Sequence, residues 1–247
     1  MKRVALITGA SRGLGAMLAR LLARRQFNLV LNARGPSDLE RLASDVRDEG
    51  VIVIARHGDV TEAATRERLI DSATELGGLD LLVNNASELG GLSPLAELHL
   101  DRFERALRVN VVAQLALTQL ALPLLARRRG LVVNISSDAA QGGYAGWGAY
   151  GASKAAFDLV GRTLAAEVKD RGVAVVTVDP GDMRTRMHQE AFPNEDISDR
   201  PLPDVTRPFW EWLLEQDALT ITGARFRAQN EEAPWACPER SRGAVPA

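Results

Sequence analysis

Along the first third of the chain, short runs of apolar and β-branched residues alternate with longer stretches whose apolar positions recur at helical spacing. Val4-Ala5-Leu6-Ile7-Thr8 is short, continuous and apolar, the pattern of a buried strand. Over residues 13–25, Leu14, Leu18, Leu21 and Leu22 fall on one helical stripe while Arg20, Arg24 and Arg25 lie largely off it. Residues 28–32 predict a second strand and residues 36–49 a second helix, with Pro36 suited to its first turn and Gly50 to its stop. A third strand over 51–55, a third helix over 61–75 and a fourth strand over 79–84 follow. Strand–helix–strand at this spacing predicts a parallel sheet with helices on both faces, which binds ligands at the carboxyl ends of its strands.

The alternation continues without a linker. Residues 101–129 predict a long, strongly apolar helix whose interior Pro123 should kink it or mark its last turns. A fifth strand is expected over 131–135, a helix over 150–171 and a sixth strand over 173–178. From 180 to 206 regularity is lost, with Pro193, Pro201 and Pro203 among many charges, as in a loop or lid. Residues 206–216 read as helical. Residues 231–247 carry Pro234, Pro238 and Pro246 with little apolar periodicity, which predicts a flexible tail after one domain spanning 1–230.

Composition narrows the classes. At 247 residues, 46% hydrophobic and 25% charged, the chain has the make-up of an ordinary globular protein with a sizeable core. A formal charge of −2 supplies no general attraction to nucleic acid or to an anionic membrane, and neither partner is expected. The single cysteine, Cys237, rules out an intrachain disulfide, and His57, His99 and His188 are widely spread, so no metal site is expected. Met1-Lys2-Arg3 runs straight into the first strand, unlike a signal peptide, and no apolar run approaches the ~18 residues of a membrane span. A cytoplasmic protein is the expectation.

Three stretches carry candidate chemistry. Thr8-Gly9-Ala10-Ser11-Arg12-Gly13-Leu14-Gly15 joins the first strand to the first helix. Glycines there let the backbone approach a pyrophosphate, and the helix N-terminus offers free N–H groups and a positive dipole end. At the end of the second strand stands Leu31-Asn32-Ala33-Arg34, with no acid to accept bonds from an adenosine 2′-hydroxyl. Arg12 and Arg34 instead suit a 2′-phosphate, so NADP(H) is expected in preference to NAD(H). Two solvated surface arginines are the alternative. Finally, Tyr150 and Lys154 are four apart and share a helix face, where an ammonium favours the phenolate. On the pair alone, a surface tyrosine beside a solvated lysine stays open.

Taken in order, these stretches resemble the short-chain dehydrogenase/reductase family over residues 4–228, in its short single-domain branch with Tyr-x-x-x-Lys. The glycine turn is similar to the family's T-G-x-x-x-G-x-G, and Asp59-Val60 to its acidic position after the third strand. Asn84-Asn85-Ala86-Ser87 resembles N-N-A-G, with Ser87 in place of glycine, an exchange that bears on the backbone because serine adopts positive φ less readily. Asn110 stands in the long helix, Ser137 thirteen residues before Tyr150, and Pro180-Gly181-Asp182-Met183-Arg184-Thr185 resembles P-G-x-x-x-T.

The resemblance implies a Rossmann fold, doubly wound, with a mostly parallel sheet of about seven strands and helices on both faces. It implies an NAD(P)-dependent oxidoreductase that reduces a small-molecule carbonyl to an alcohol by hydride transfer. Ser137 and Tyr150 would hold the carbonyl, with Tyr150 as proton donor. Lys154 would depress the phenol pKa and hold the nicotinamide ribose, and Asn110, through its backbone or side chain, would hold a water linking Lys154 to solvent. Gly9, Ser11, Arg12, Gly13, Leu14, Gly15 and Arg34 would bind the phosphates; Asp59, Val60, Asn85 and Ala86 the adenine side; and Pro180, Gly181, Met183 and Thr185 the carboxamide side. Substrate choice would lie in residues 87–95, 138–148 and a loop over about 182–205, with Tyr144, Trp147, His188 and Phe192 as candidate lining. A homodimer through the long helices, or a homotetramer, is expected. An NAD-linked alcohol dehydrogenase and a non-catalytic nucleotide-sensing protein on the same fold remain as alternatives.

Overall fold

The computed structural model describes residues 2–229 and Trp235. Seven strands form one sheet: β1 (Val4–Ile7), β2 (Asn28–Ala33), β3 (Val53–His57), β4 (Leu81–Asn84), β5 (Leu131–Ile135), β6 (Ala174–Asp179) and β7 (Arg225–Arg227). Their spatial order is β3-β2-β1-β4-β5-β6-β7, and every neighbouring pair is parallel. The helices are α1 (Gly13–Arg24), α2 (Pro36–Arg47), α3 (Ala63–Glu75), α4 (Leu100–Leu107), α5 (Ala113–Arg128), α6 (Gly148–Val168), α7 (Arg186–Ala191) and α8 (Arg207–Leu213). This is the doubly wound Rossmann arrangement, in which the chain leaves β1 toward β2 and β3 and then crosses back to β4. The crossing opens a crevice at the carboxyl ends of β1 and β4.

The continuous apolar strands are explained by burial on both faces. Ala5, Ile7, Leu29, Leu31 and Val83 pack into one core with α1, α2 and α8. Their neighbours Val4, Leu6, Val30, Leu82 and Val132 point the other way, into a second core with α3, α5 and α6. Each buried aliphatic side chain stabilises the fold by roughly 1.5–3 kcal/mol. Phe209, Trp212 and Phe226 build an aromatic cluster beneath β7, and Trp235 packs on it. Apart from Trp235, the expected tail over 231–247 lies outside the described residues.

Several expectations change. The third strand was expected over 51–55 and occupies Val53–His57, with Ile52 largely exposed. It is an edge strand, and its position is set by pairing with β2, Leu29 against Val53, rather than by its own run of β-branched residues. Pro123 marks the last two turns of α5, one of the two outcomes expected of it, while the helix departs from α geometry in an unexpected π-turn at Arg108–Val112. This turn carries Asn110 into the interior, and Gln114 donates to the Val109 carbonyl there at 3.3 Å. The continuous helical stretch Leu100–Arg128 is, by length and composition, long and apolar enough to cross a membrane, contrary to the sequence expectation. Its apolar face is spent on the core instead, since Ala113, Leu117, Ala121 and Leu125 are buried in the second cluster. The stretch expected as irregular, 180–206, contains α7 and a 3-10 turn at Pro203–Thr206.

Candidate active site

A cleft of about 1390 Å³ lies over the carboxyl ends of the strands. At one end is the glycine turn. Gly9 has φ +63, and a Cβ there would stand 2.9 Å from the Ala86 Cα, so only glycine lets β1 turn this close to the loop after β4. Asn85 locks the two together, its amide donating to the Thr8 carbonyl at 2.8 Å and the Gly9 carbonyl at 3.0 Å. Gly15 lies behind the wall rather than in it, where a Cβ would meet the Gly9 oxygen at 2.5 Å.

Gly9, Ser11, Arg12, Gly13 and Leu14 line the cleft, and α1 starts there with no side-chain cap and no acid in its first turn. Its first N–H groups therefore lack intrahelical partners. Arg12 and Arg34 are exposed on the cleft, and neither guanidinium has a hydrogen bond or salt bridge among the described residues. Uncapped N–H groups and two exposed guanidiniums fit the phosphates of a dinucleotide. Asp59 closes this end. Burial works to raise its carboxyl, but bonds from Thr61 and the charges of Arg105 and Arg34 outweigh that and hold it below the usual range. Arg105 also binds Glu88, at 2.9 Å, so it ties the loop after β4 to the region of Asp59.

The other end of the cleft holds Ser137, Tyr150 and Lys154. Tyr150 and Lys154 stand one turn apart on α6, as expected, with the ammonium 5.5 Å from the phenol ring centroid. Lys154 is buried and donates to the Ile135 carbonyl at 2.8 Å. Burial pushes its ammonium down to about 8, against the opposing charges of Asp158 and Asp179. Tyr150 corrects the expectation of a depressed phenol. Burial drives it well above its ordinary value, Asp179 and Asp138 add to the rise, and hydrogen bonds with Ser137 and Ser87 oppose it. With its own ammonium pushed down to about 8, Lys154 has lost its charge before a phenol raised above its ordinary value ionises, so it does not offset the desolvation.

Ser137 caps the 3-10 turn Asp138–Ala140, accepting from the Ala139 N–H and donating to Asp138 at 2.9 Å. Its backbone is held from behind by Arg225 of β7, which donates to the Ser137 carbonyl at 2.8 Å. The same guanidinium meets Asp158 at 2.9 Å and Asp179 at 3.3 Å, and Ser136 donates to Asp158. Both carboxylates are nearly inaccessible, and burial pushes Asp179 upward even with Arg225 beside it. The sequence analysis missed this cluster, because its members come from α6, β6 and β7 and share no local pattern. Removing the arginine would leave two acids without their cation. Arg225→Met should therefore cost about 2 kcal/mol, read as a lower urea midpoint at unchanged slope. Arg225→Lys should recover only part, since an ammonium cannot serve all three acceptors from one fork. A midpoint unchanged by Arg225→Met would dismiss the cluster as a stabilising clamp.

Asn110 is not in the cleft wall. Its amide donates to the Glu88 carbonyl and to Ser153 Oγ, each at 2.8 Å, while its oxygen accepts from the Glu88 N–H at 2.8 Å and Ser87 Oγ at 3.1 Å. All of its side-chain hydrogen-bonding capacity is taken, so the side chain holds no water for Lys154. Val60, Ala86, Pro180, Gly181, Met183 and Thr185 do line the cleft, and Thr185 caps α7 by accepting from the His188 N–H. Tyr144, Trp147, His188 and Phe192 also reach it. His188, Phe192, Trp147 and Tyr150 form one continuous aromatic wall, with successive ring centroids 4.9, 5.7 and 5.9 Å apart.

Comparison with known proteins agrees with this geometry. The family model for short chain dehydrogenase matches residues 3–196. The uncharacterized oxidoreductase YciK of Escherichia coli strain K12 is 33% identical over 242 residues, covering 94% of each chain. A crystal structure of a short chain dehydrogenase from Salmonella enterica serovar Typhi superposes with a TM-score of 0.86 at 33% identity, covering 93% of this chain and 97% of that one. A Shigella flexneri protein described as a short chain dehydrogenase complexed with NADP superposes with a TM-score of 0.85 at 33% identity, over 92% and 97% of the two chains. With a parallel Rossmann sheet, a glycine turn at its first strand and Ser137, Tyr150 and Lys154 across one cleft, this chain belongs to the short-chain dehydrogenase/reductase family.

Proposed function

We propose that the protein is an NADPH-dependent reductase of small-molecule carbonyls. One observation carries the reading: the cleft that presents Ser137, Tyr150 and Lys154 at one end presents at the other two guanidiniums, Arg12 and Arg34, that make no hydrogen bond or salt bridge among the described residues. The NADP held by the Shigella relative supports the same cofactor. Arg12 and Arg34 would hold the 2′-phosphate, the α1 N-terminus and Ser11 the pyrophosphate, and Asp59 with Val60 the adenine. The bound cofactor would supply the hydride.

Ser137 and Tyr150 would then orient the carbonyl oxygen, and the Tyr150 hydroxyl would give it a proton. A phenol held above its ordinary pKa by burial stays protonated at neutral pH, which suits a proton donor in the reducing direction. Lys154 lies beneath the ring to stabilise the phenolate left behind. The aromatic wall of Trp147, Phe192 and His188 would favour a substrate with a flat or bulky apolar group. Titration with NADPH and with NADH, followed by nicotinamide fluorescence, tests the cofactor. Tighter NADPH binding is expected, followed by a carbonyl screen; tighter NADH binding would redirect the screen to alcohols, and binding of neither would favour a non-catalytic role.

The expected homo-oligomer is proposed through α5 and α6. Leu120 on α5, Leu159 on α6 and Val112 at the end of the π-turn just before α5 are exposed, an apolar surface that a second copy would cover. Light scattering coupled to gel filtration should give at least twice the 26.7 kDa of one chain; a monomer at micromolar concentration would sink the proposal.

A further inference from the structure

The proton of the Ser137 hydroxyl is already committed. Ser137 Oγ accepts from the Ala139 N–H at 3.2 Å and stands 2.9 Å from Asp138 Oδ1; a carboxylate can only accept, so the hydroxyl donates to it. The second carboxylate oxygen accepts from the Tyr144 phenol at 2.8 Å. Tyr144 reaches it by laying its ring over Gly142, where a Cβ would stand 2.7 Å from the ring. Burial works to raise the Asp138 carboxyl, but bonds from Tyr144, Ser137 and the Ala139 N–H, with the charge of Arg225, outweigh that and hold it below the usual range. Asp138 is therefore an anion at neutral pH, exposed on the cleft wall next to Ser137.

Its partners set it apart from the other carboxylates at this end of the cleft. Asp179 has Arg225 at 3.3 Å, Glu88 has Arg105 at 2.9 Å, and Glu190 has Arg186 at 2.7 Å. Asp182 faces the His188 imidazole at 3.8 Å. Asp138 forms no salt bridge among the described residues, and its side-chain partners are two neutral hydroxyls.

A hydroxyl has one proton to give. When Ser137 turns its O–H to a substrate carbonyl, Asp138 Oδ1 loses that donor. A donor brought by the substrate itself, beside its carbonyl, would restore the bond. We propose that Asp138 selects carbonyl substrates that carry an O–H or N–H donor on the carbon next to the carbonyl, and turns away those that carry a carboxylate there. The substrate donor takes the place of the Ser137 proton on Oδ1, while Tyr144 holds Oδ2 and so keeps the carboxylate facing Ser137. An α-keto acid would bring a second negative charge to the same oxygen. Asp138 thus recognises the substrate and takes no part in hydride or proton transfer. This rests on Ser137 holding the substrate carbonyl, as in the reductase reading above.

Four phenyl ketones test it, alike except for the group next to the carbonyl: hydroxymethyl, methoxymethyl, aminomethyl and, in phenylglyoxylate, carboxylate. Hydroxyl and methoxyl draw electrons from the carbonyl to a similar extent, so comparing them isolates the donor. With NADPH, kcat/KM should be about tenfold higher for the hydroxyl than for the methoxyl ketone, the effect of one bond to a charged acceptor, and lowest for phenylglyoxylate. A lead for the hydroxyl or for the amino ketone supports the proposal, and the larger of the two identifies the donor. In Asp138→Ala the ratio of hydroxyl to methoxyl ketone should fall to about one. Each ratio is taken within one protein, so a general loss of stability or activity cancels. Equal values in the parent, or a preference that survives Asp138→Ala, would overturn the proposal. Calorimetry on Tyr150→Phe loaded with NADPH should give the same order as affinities, without turnover. Binding in that order with no reduction by the parent would keep Asp138 in its role and remove the reductase reading. Reduction of all four ketones at one rate would do the reverse. Neither binding nor reduction of any of them would overturn both.

Discussion

Tyr150→Phe should lower carbonyl reduction by roughly 10³-fold, the usual size of a lost general acid, while leaving the NADPH dissociation constant nearly unchanged. The variant keeps the ring, which is buried and packed edge-on against Trp147 at a centroid distance of 5.9 Å. It removes only the hydroxyl. The two serines that face it are not orphaned, since Ser137 also bonds Asp138 and Ser87 also bonds Asn110. Stability should therefore change by less than about 1 kcal/mol. Loss of turnover with intact NADPH affinity and an intact melting curve would place the effect in proton transfer. Full activity in the variant would remove Tyr150 from the reaction, and with it the reason for a buried, protonated phenol beside Ser137 and Lys154.

The second large effect is expected at the opposite end of the cleft. Arg34→Asp should weaken NADPH by roughly a hundredfold or more and NADH by far less. A charge-assisted bond to phosphate contributes about 1.5–3 kcal/mol, and an aspartate adds repulsion of about 1 kcal/mol against a neighbouring negative charge. NADH has no 2′-phosphate and should meet neither penalty. Arg34 neighbours Asp59 electrostatically, so its loss also removes one of the positive charges that hold that carboxyl below its usual range. A parallel change in affinity for the adenine of both cofactors is the signature of that secondary effect. Equal weakening of NADPH and NADH would take Arg34 out of the phosphate site and leave Arg12 as the only candidate. Salt provides a control, because a solvent-exposed phosphate contact weakens as ionic strength rises.

Much of the site was legible before the fold was known, for a physical reason in each case. The glycine turn was readable because positive φ at Gly9 and close backbone packing at Gly15 restrict those positions to one residue type. The Tyr150–Lys154 pair was readable because a helix converts a spacing of four into contact on one face. Other roles were misread. Asn110 was expected to hold a water through its backbone or its side chain, and its carboxamide, fully occupied by Glu88, Ser87 and Ser153, leaves only the backbone for that role. Lys154 was expected to lower the phenol, but burial acts on both groups and dominates. Charges can be counted along a chain, whereas desolvation depends on what covers them.

By itself, the sequence determined the class of the fold and the place of its site. Strands apolar on both faces require helices on both faces, and parallel strands joined by helices put a crevice at their carboxyl ends. Those are local constraints repeated along the chain, and periodicity records them. The tertiary structure decided the rest. It set the register of the edge strand β3 through β2, put a π-turn at Asn110 in the long helix, and assembled Arg225, Asp158 and Asp179 behind Ser137. It also decided what Ser87 touches. These outcomes come from residues far apart in the chain competing for the same hydrogen bonds and the same buried space, and no local pattern encodes which of them meet.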